Sequence, residues 1–196
     1  MKIQTLVIAT RNPHKTEEIR SILAGLSITV RDLTEFPDCP EVEEDGETLE
    51  ENAMKKALAA HRCTGLPVIA DDTGLEVYYL LGAPGVYSAR YAGENATYDD
   101  NNHKLLKAMT QVPARRRQAR FRCVVAFVAD GAEQYFEGKV EGSILLSPRG
   151  KNGFGYDPVF RPTGHERSYA ELTAEEKNAM SHRGLAIRHF LAFLQS

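Results

Sequence analysis

Apolar and polar positions along the chain fall into short continuous apolar runs separated by stretches of helical periodicity. Residues 3–9 form an apolar run that reads as a buried strand. Asn12-Pro13 follows as an N-cap with proline at the first helical position, and Ile19, Ile22, Leu23 and Leu26 recur at helical spacing. A second strand is expected over 27–31 and an acidic loop over 37–47. Thr48-Leu49-Glu50-Glu51 is a capping box that opens a helix to about Cys63. Residues 67–70 are again apolar, and 74–81 resume as a strand or a strand plus turn. A long irregular loop spans 82–96, and a helix runs from Thr97 to about Met109. Residues 120–129 read as a strand, Asp130-Gly131 as a hairpin turn, and 135–146 as the return. A glycine-rich loop (147–158), a second capping box at Thr173-Ala174-Glu175-Glu176 and an apolar helix over 184–194 complete the pattern. Strand-helix units followed by hairpins predict an α/β fold, a mixed sheet with helices on both faces.

Composition narrows the class. Of the 196 residues 42% are apolar, enough for one core or two small lobes sharing one. A net charge of −3 argues against a protein that grips a polyanion through a basic surface. The apolar runs are too short to span a bilayer, and the N-terminal one is too short for a signal peptide. Cys39, Cys63 and Cys123 are odd in number and far apart, without a Cys-x-x-Cys pair, so buried thiols in a reducing cytoplasm are expected.

Several segments combine residues suited to chemistry. Thr10-Arg11-Asn12-Pro13-His14-Lys15 joins the first strand to the first helix. The N–H groups of that helix start and Lys15 would suit an anion, and equally an ordinary cap with a solvated lysine. Asp71-Asp72-Thr73-Gly74 follows an apolar strand and reads either as a carboxylate site for Mg²⁺ or water, or as a turn. In the acidic stretch, Glu47, Glu50 and Glu51 suit the coming helix, whereas Glu41, Glu43, Glu44 and Asp45 have no such reason. One of these could share a hard cation. Gly153-Phe154-Gly155-Tyr156-Asp157-Pro158 sets a ring between glycines, as a stacking platform for a base would, and Pro158 should hold Asp157 extended. Ser181-His182-Arg183-Gly184 offers donors at the start of the last helix. Arg115-Arg116-Arg117, with Arg120 and Arg122, is either a solvated loop or a nucleic-acid contact.

As an ordered set these residues resemble the inosine triphosphate pyrophosphatase family, nearly end to end. The match adds Glu51-Asn52-Ala53 with Lys56, the run Gly82 through Tyr91, and Ala170-Glu171-Leu172 with Lys177. The resemblance implies one domain over 1–196, two lobes around a central cleft, usually as a homodimer. It implies a cytoplasmic enzyme that hydrolyses non-standard purine nucleoside triphosphates (ITP, dITP, XTP) to the monophosphate and pyrophosphate with Mg²⁺, without a nucleic-acid or membrane partner. Carried over by position, Asp72 is similar to the catalytic residue and a metal ligand, and Glu44 to a second ligand. Thr10, Arg11, Asn12, Pro13, His14, Lys15 and Lys56 fill the triphosphate positions, with Thr73 beside them. Phe154, Gly155, Tyr156, Asp157, Lys177, His182 and Arg183 fill the base and nucleoside positions, with His182 and Arg183 as expected readers of a 6-keto oxygen. A nucleotide-binding protein without turnover is the alternative reading.

Overall fold

The computed structural model describes residues 3–195. Its elements are β1 (Thr5–Ile8), α1 (Pro13–Leu23), β2 (Thr29–Asp32), α2 (Leu49–Thr64), β3 (Val68–Val77) and β4 (Pro84–Gly85). They continue with α3 (Tyr98–Ala108), β5 (Gln118–Ala129), β6 (Ala132–Ile144), β7 (Phe160–Pro162), α4 (Ala174–Met180) and α5 (His182–Gln195). Among the described residues the strands form a seven-stranded mixed sheet in the order β2-β1-β3-β5-β6-β7, with β4 paired to β3. β1 runs parallel to β2 and β3, while β4 and β7 run antiparallel to their neighbours. The mixed α/β expectation holds.

The helix starts follow local chemistry. The Asn12 side chain accepts from the His14 N–H with Pro13 next in line, and Thr173 and Glu176 form a complete capping box at α4. Thr48 caps α2 through the Glu51 N–H, but the Glu51 carboxylate turns to the Glu47 N–H instead of the Thr48 N–H. Gly131, at φ +75°, makes the β5–β6 turn.

The chain forms two compact units. The first comprises residues 1–72, 123–138 and 183–196, and the second 73–122 and 139–182. The core of the first gathers Leu6 and Ile8 of β1, Ile19 and Leu23 of α1, Ile69 of β3, Val125 and Phe127 of β5, and Ile187 and Phe190 of α5. The core of the second gathers Leu75, Leu105, Met109, Phe121, Phe160 and Tyr169.

Three expectations are corrected. Asp71-Asp72-Thr73-Gly74 is not a turn: β3 continues through it for ten residues. Gly74 permits this, because a Cβ there would stand 2.7 Å from the Gly85 carbonyl oxygen on β4. Asp157 is not extended but opens a 3₁₀ turn with Pro158 second, where no proline N–H is needed. Cys39 and Cys63 are not thiols but a disulfide, because the chain after β2 folds back onto the last turn of α2. Cys123 is buried and carries no disulfide.

Candidate active site

In the first unit the loop after β1, the acidic loop, α2 and the middle of β3 meet around two adjacent aspartates. Successive strand side chains point to opposite faces, so Asp71 and Asp72 enter different surroundings. Asp71 is buried. Its Oδ2 lies 3.1 Å from Lys15 Nζ and accepts from Arg183 Nη2 (2.9 Å) and Nε (3.1 Å). Burial alone would raise its pKa, but Lys15, Arg183 and Lys56 override it and hold the carboxyl well below the usual range.

Asp72 is also buried, yet one cation addresses it: Lys56 Nζ stands 3.4 Å from Oδ1. Its Oδ2 is buried with no hydrogen-bond partner among the described residues. Burial, seconded by the charges of Glu44 and Asp71, raises its pKa despite Lys56 and Lys15. Two neighbouring carboxylates are thus driven apart in acidity, one fixed as a charge and one able to take a proton.

Lys56 is a buried residue of α2, whose inward face is otherwise made of Leu49, Asn52, Ala53, Ala57 and Ala60. It donates to Glu44 Oε1 (2.9 Å) and to the Asp71 carbonyl oxygen (2.8 Å). Burial works against its charge, but Asp72, Glu44 and Asp71 raise its pKa, so it stays an ammonium. Glu44 is the member of the acidic stretch that turns to these lysines. Asp45 pairs with exposed Lys55, and Glu41 and Glu43 are exposed. Burial opposes ionisation of Glu44, but Lys56 and Lys15 hold its pKa low. Asn52 steadies the loop by accepting from the Gly46 N–H at 2.8 Å. In the loop after β1, Thr10 Oγ1 accepts from the Asn12 N–H, and Arg11 donates to the Cys39 carbonyl at 2.6 Å. Pro13 and His14 are exposed at the head of α1.

Among the described residues no group of three or more His, Cys, Asp or Glu forms a metal cage. Glu44 and Asp72 form a sparse, hard-oxygen pair. That suits Mg²⁺, which is held by one or two carboxylates and keeps waters and substrate phosphates as its other ligands. The orphaned Asp72 Oδ2 fits that use.

In the second unit, Thr73 continues β3 and the glycine-rich loop presents Phe154. The Phe154 N–H donates to Asp157 Oδ2 (2.8 Å), which also accepts from buried Lys177 (2.5 Å). The Lys177 ammonium lies 4.8 Å from the Phe154 ring centre. Gly153 has φ +72°, and a Cβ there would strike the Asp157 carboxylate. The Tyr156 hydroxyl donates to the Ser88 carbonyl, and Asn102 donates to the Gly155 carbonyl. His182 lies flat on Phe121, with ring centres 4.4 Å apart.

Arg183 follows His182 in the chain but belongs to the first unit, where its guanidinium serves Asp71 and Glu18. Glu18 was not singled out from the sequence. Its signal was the spacing of three from Lys15, which places both on one side of α1. Three arginines of the cluster are engaged within the second unit. Buried Arg117 donates to the carbonyls of Met109, Val112, Ile144 and Leu145, Arg116 covers Tyr79, and Arg120 pairs with Glu76.

Known proteins resemble this chain along nearly its whole length. The family model described as the Ham1 family matches residues 6–193. A curated relative from Geobacter sulfurreducens, named dITP/XTP pyrophosphatase, is 55% identical over 93% of this chain and 92% of its own. One of the same name from Porphyromonas gingivalis is 49% identical over 98% of each chain. Among solved structures, a HAM1 protein from Coxiella burnetii superposes with a TM-score of 0.89 at 44% identity, covering 98% of this chain and 99% of that one. The Staphylococcus aureus Ham1 protein gives 0.86 at 41%, covering 98% of each. With a family model spanning nearly the whole chain and relatives this similar, the chain belongs to the Ham1 family.

Proposed function

We propose that the protein hydrolyses non-standard purine nucleoside triphosphates, dITP and XTP as in the names of its relatives and ITP with them, to the nucleoside monophosphate and pyrophosphate. One observation carries this reading. Two lysines from separate helices converge on the Asp71 carbonyl oxygen, beside an aspartate with a buried oxygen that has no hydrogen-bond partner among the described residues. That is an anion-binding surface next to a proton acceptor.

Lys15, Lys56 and the N-terminus of α1 take the charge of the phosphate chain. Asp72, its basicity increased by burial, receives the proton of the attacking water. Glu44 and Asp72 are the residues that would hold Mg²⁺, which when bound draws charge from the phosphate oxygens. Phe154 offers a stacking face for the base. Lys177, a donor-only group held by Asp157, and His182 are the readers we assign to the 6-keto oxygen of hypoxanthine and xanthine. An adenine amino group facing such donors would leave them unpaired.

Pyrophosphate release is to be measured from inosine, xanthosine and adenosine triphosphates with Mg²⁺ and with chelator. Pyrophosphate from the first two, lost in chelator and weak with adenosine triphosphate, is expected. Orthophosphate as first product, or full activity in chelator, refutes the reading. Lys15→Ala and Lys56→Ala should each lower kcat/KM about tenfold to a hundredfold, since a charge-assisted hydrogen bond is worth about 1.5–3 kcal/mol.

We also propose a cytoplasmic homodimer. Tyr78, Tyr79, Leu81 and Tyr87 are large, exposed and close in sequence, which supports burial against a second copy. Leu81→Glu should then yield monomers in sedimentation. Among the described residues no helix is long and apolar enough to cross a membrane. The Cys39–Cys63 disulfide is unusual for a reducing compartment, so thiol trapping in intact cells tests the location.

A further inference from the structure

Lys15, Lys56 and Asp72 account for phosphate and water, and Arg183, buried in the same unit, pairs with Asp71 and Glu18. It is the second residue of α5, where the positive end of the helix dipole opposes a cation. Its side chain is 2% exposed, so the opposition is not relieved by water. Two carboxylates hold it there. Asp71 Oδ2 accepts from Nε and Nη2, and Glu18 Oε2 accepts from Nη1 at 2.5 Å. The same Asp71 Oδ2 pairs with Lys15, and the Asp71 carbonyl oxygen accepts from Lys56 and Lys15. Asp71 is therefore shared between a cation behind it and the two lysines in front. Which way its carboxylate leans depends on how well Arg183 is neutralised from the other side, and the group that does so is Glu18.

We propose that Glu18 is a positioning residue: by taking one edge of the Arg183 guanidinium it leaves Asp71 able to orient Lys15 and Lys56. The proposal rests on the reading of those lysines as phosphate contacts. Glu18 stands three residues after Lys15 on α1, so one helix carries both the contact and the brace that sets it. Removal of Glu18 takes the carboxylate from Nη1 and leaves the Asp71 carboxylate on the Nε and Nη2 side. The guanidinium then draws the carboxylate toward itself, and Lys15 loses its guide. Outer partners that orient the ligands of a metal commonly matter tenfold or more, and the same physics applies to a lysine held by a shared carboxylate.

A double-mutant cycle between Glu18 and Lys15 tests this on the full chain. It is read both as kcat/KM for inosine triphosphate and as Kd for inorganic tripolyphosphate by calorimetry. Glu18→Gln, which keeps the buried shape, and Glu18→Ala are each combined with Lys15→Ala, with circular dichroism and melting as folding controls. Glu18→Gln is expected to lower kcat/KM by about tenfold in the parent, and by less than twofold once Lys15 is gone, because coupled residues are not additive. Kd should follow the same pattern. An equal loss in both backgrounds overturns the proposal and makes Glu18 a stability residue alone. So does an unchanged kcat/KM in folded Glu18→Gln. Absence of pyrophosphate release from the parent would strike the functional reading instead, and the cycle in Kd would still decide the role of Glu18.

Discussion

Replacing Asp72 by asparagine should abolish turnover and at the same time make the protein more stable. Four carboxylates (Glu18, Glu44, Asp71, Asp72) face three cations (Lys15, Lys56, Arg183) in the first unit, an excess of one negative charge. The excess is assigned to Asp72, whose pKa is raised while those of Asp71 and Glu44 are lowered, and whose Oδ2 is buried with no hydrogen-bond partner among the described residues. A buried charged acceptor without a hydrogen bond costs about 1–3 kcal/mol. Asparagine keeps the shape and an Oδ1 acceptor for Lys56 while removing the charge. With part of the cost retained by its amide, the gain is about 1–2 kcal/mol, or about 2–8 °C in Tm for a chain of this length. The acidity of Asp72 supplies a second signature. Its folded pKa is raised above the ordinary 3.8, so the folded state holds the proton more tightly than the unfolded state. The stability this brings is fully present below 3.8 and is lost as pH rises through the raised value. The advantage of the variant should therefore be full at neutral pH and close on acidification, while Asp71, common to both proteins, cancels. Scanning calorimetry in excess chelator, alongside a pyrophosphate assay in Mg²⁺, reads both effects. Added Mg²⁺ should raise the melting temperature of the parent more than that of the variant. A folded Asp72→Asn protein that melts at or below the parent at neutral pH, or that turns over normally, refutes the reasoning.

Three further outcomes are expected. Reduction of Cys39–Cys63, or Cys39→Ser, releases a loop closed across a sequence separation of 24 and should lower stability by up to about 3.5 kcal/mol on the loop-entropy estimate, seen as a lower denaturation midpoint with reductant. Arg117→Met removes the hydrogen bonds to four carbonyls and should cost about 3 kcal/mol or more, whereas exposed Arg115→Ala should stay within about 0.5 kcal/mol in urea titration. Gly74→Ala places a methyl 2.7 Å from the Gly85 carbonyl oxygen and should destabilise by about 1–3 kcal/mol, measurable as a lower Tm.

Much of this was legible in the chain because it is written locally. A cap such as Asn12-Pro13 or Thr173 with Glu176 needs only its own next three residues, and both formed as read. The acidic loop was legible as unusual, since its first carboxylates had no helix to serve, and Glu44 proves to be the one turned to the lysines. What the sequence hid depends on distant partners. Asp71-Asp72-Thr73-Gly74 has turn composition, but it lies inside β3, which pairs with β4 just beyond it at Leu75 and Glu76, and the absent Cβ at Gly74 lets the Gly85 carbonyl approach. Arg183 looks like a free donor until Glu18, 165 positions away, is placed against it. Arg117 reads as one of a solvated trio, yet its hydrogen bonds go to carbonyls as far off as Leu145. Cys39 and Cys63 show no spacing signal because a long loop, not a motif, brings them together.

The Cys39–Cys63 bond also closes a covalent ring in which Glu44 and Lys56 are both enclosed. A protease that cuts the exposed acidic stretch opens the ring without separating its two ends. After a cut between Asp45 and Thr48 the fragment carrying Glu44 keeps Cys39, the fragment carrying Lys56 keeps Cys63, and the nicked chain migrates intact until reductant is added. An exposed stretch of the first unit is thus held to α2 in a way that tolerates a broken peptide bond.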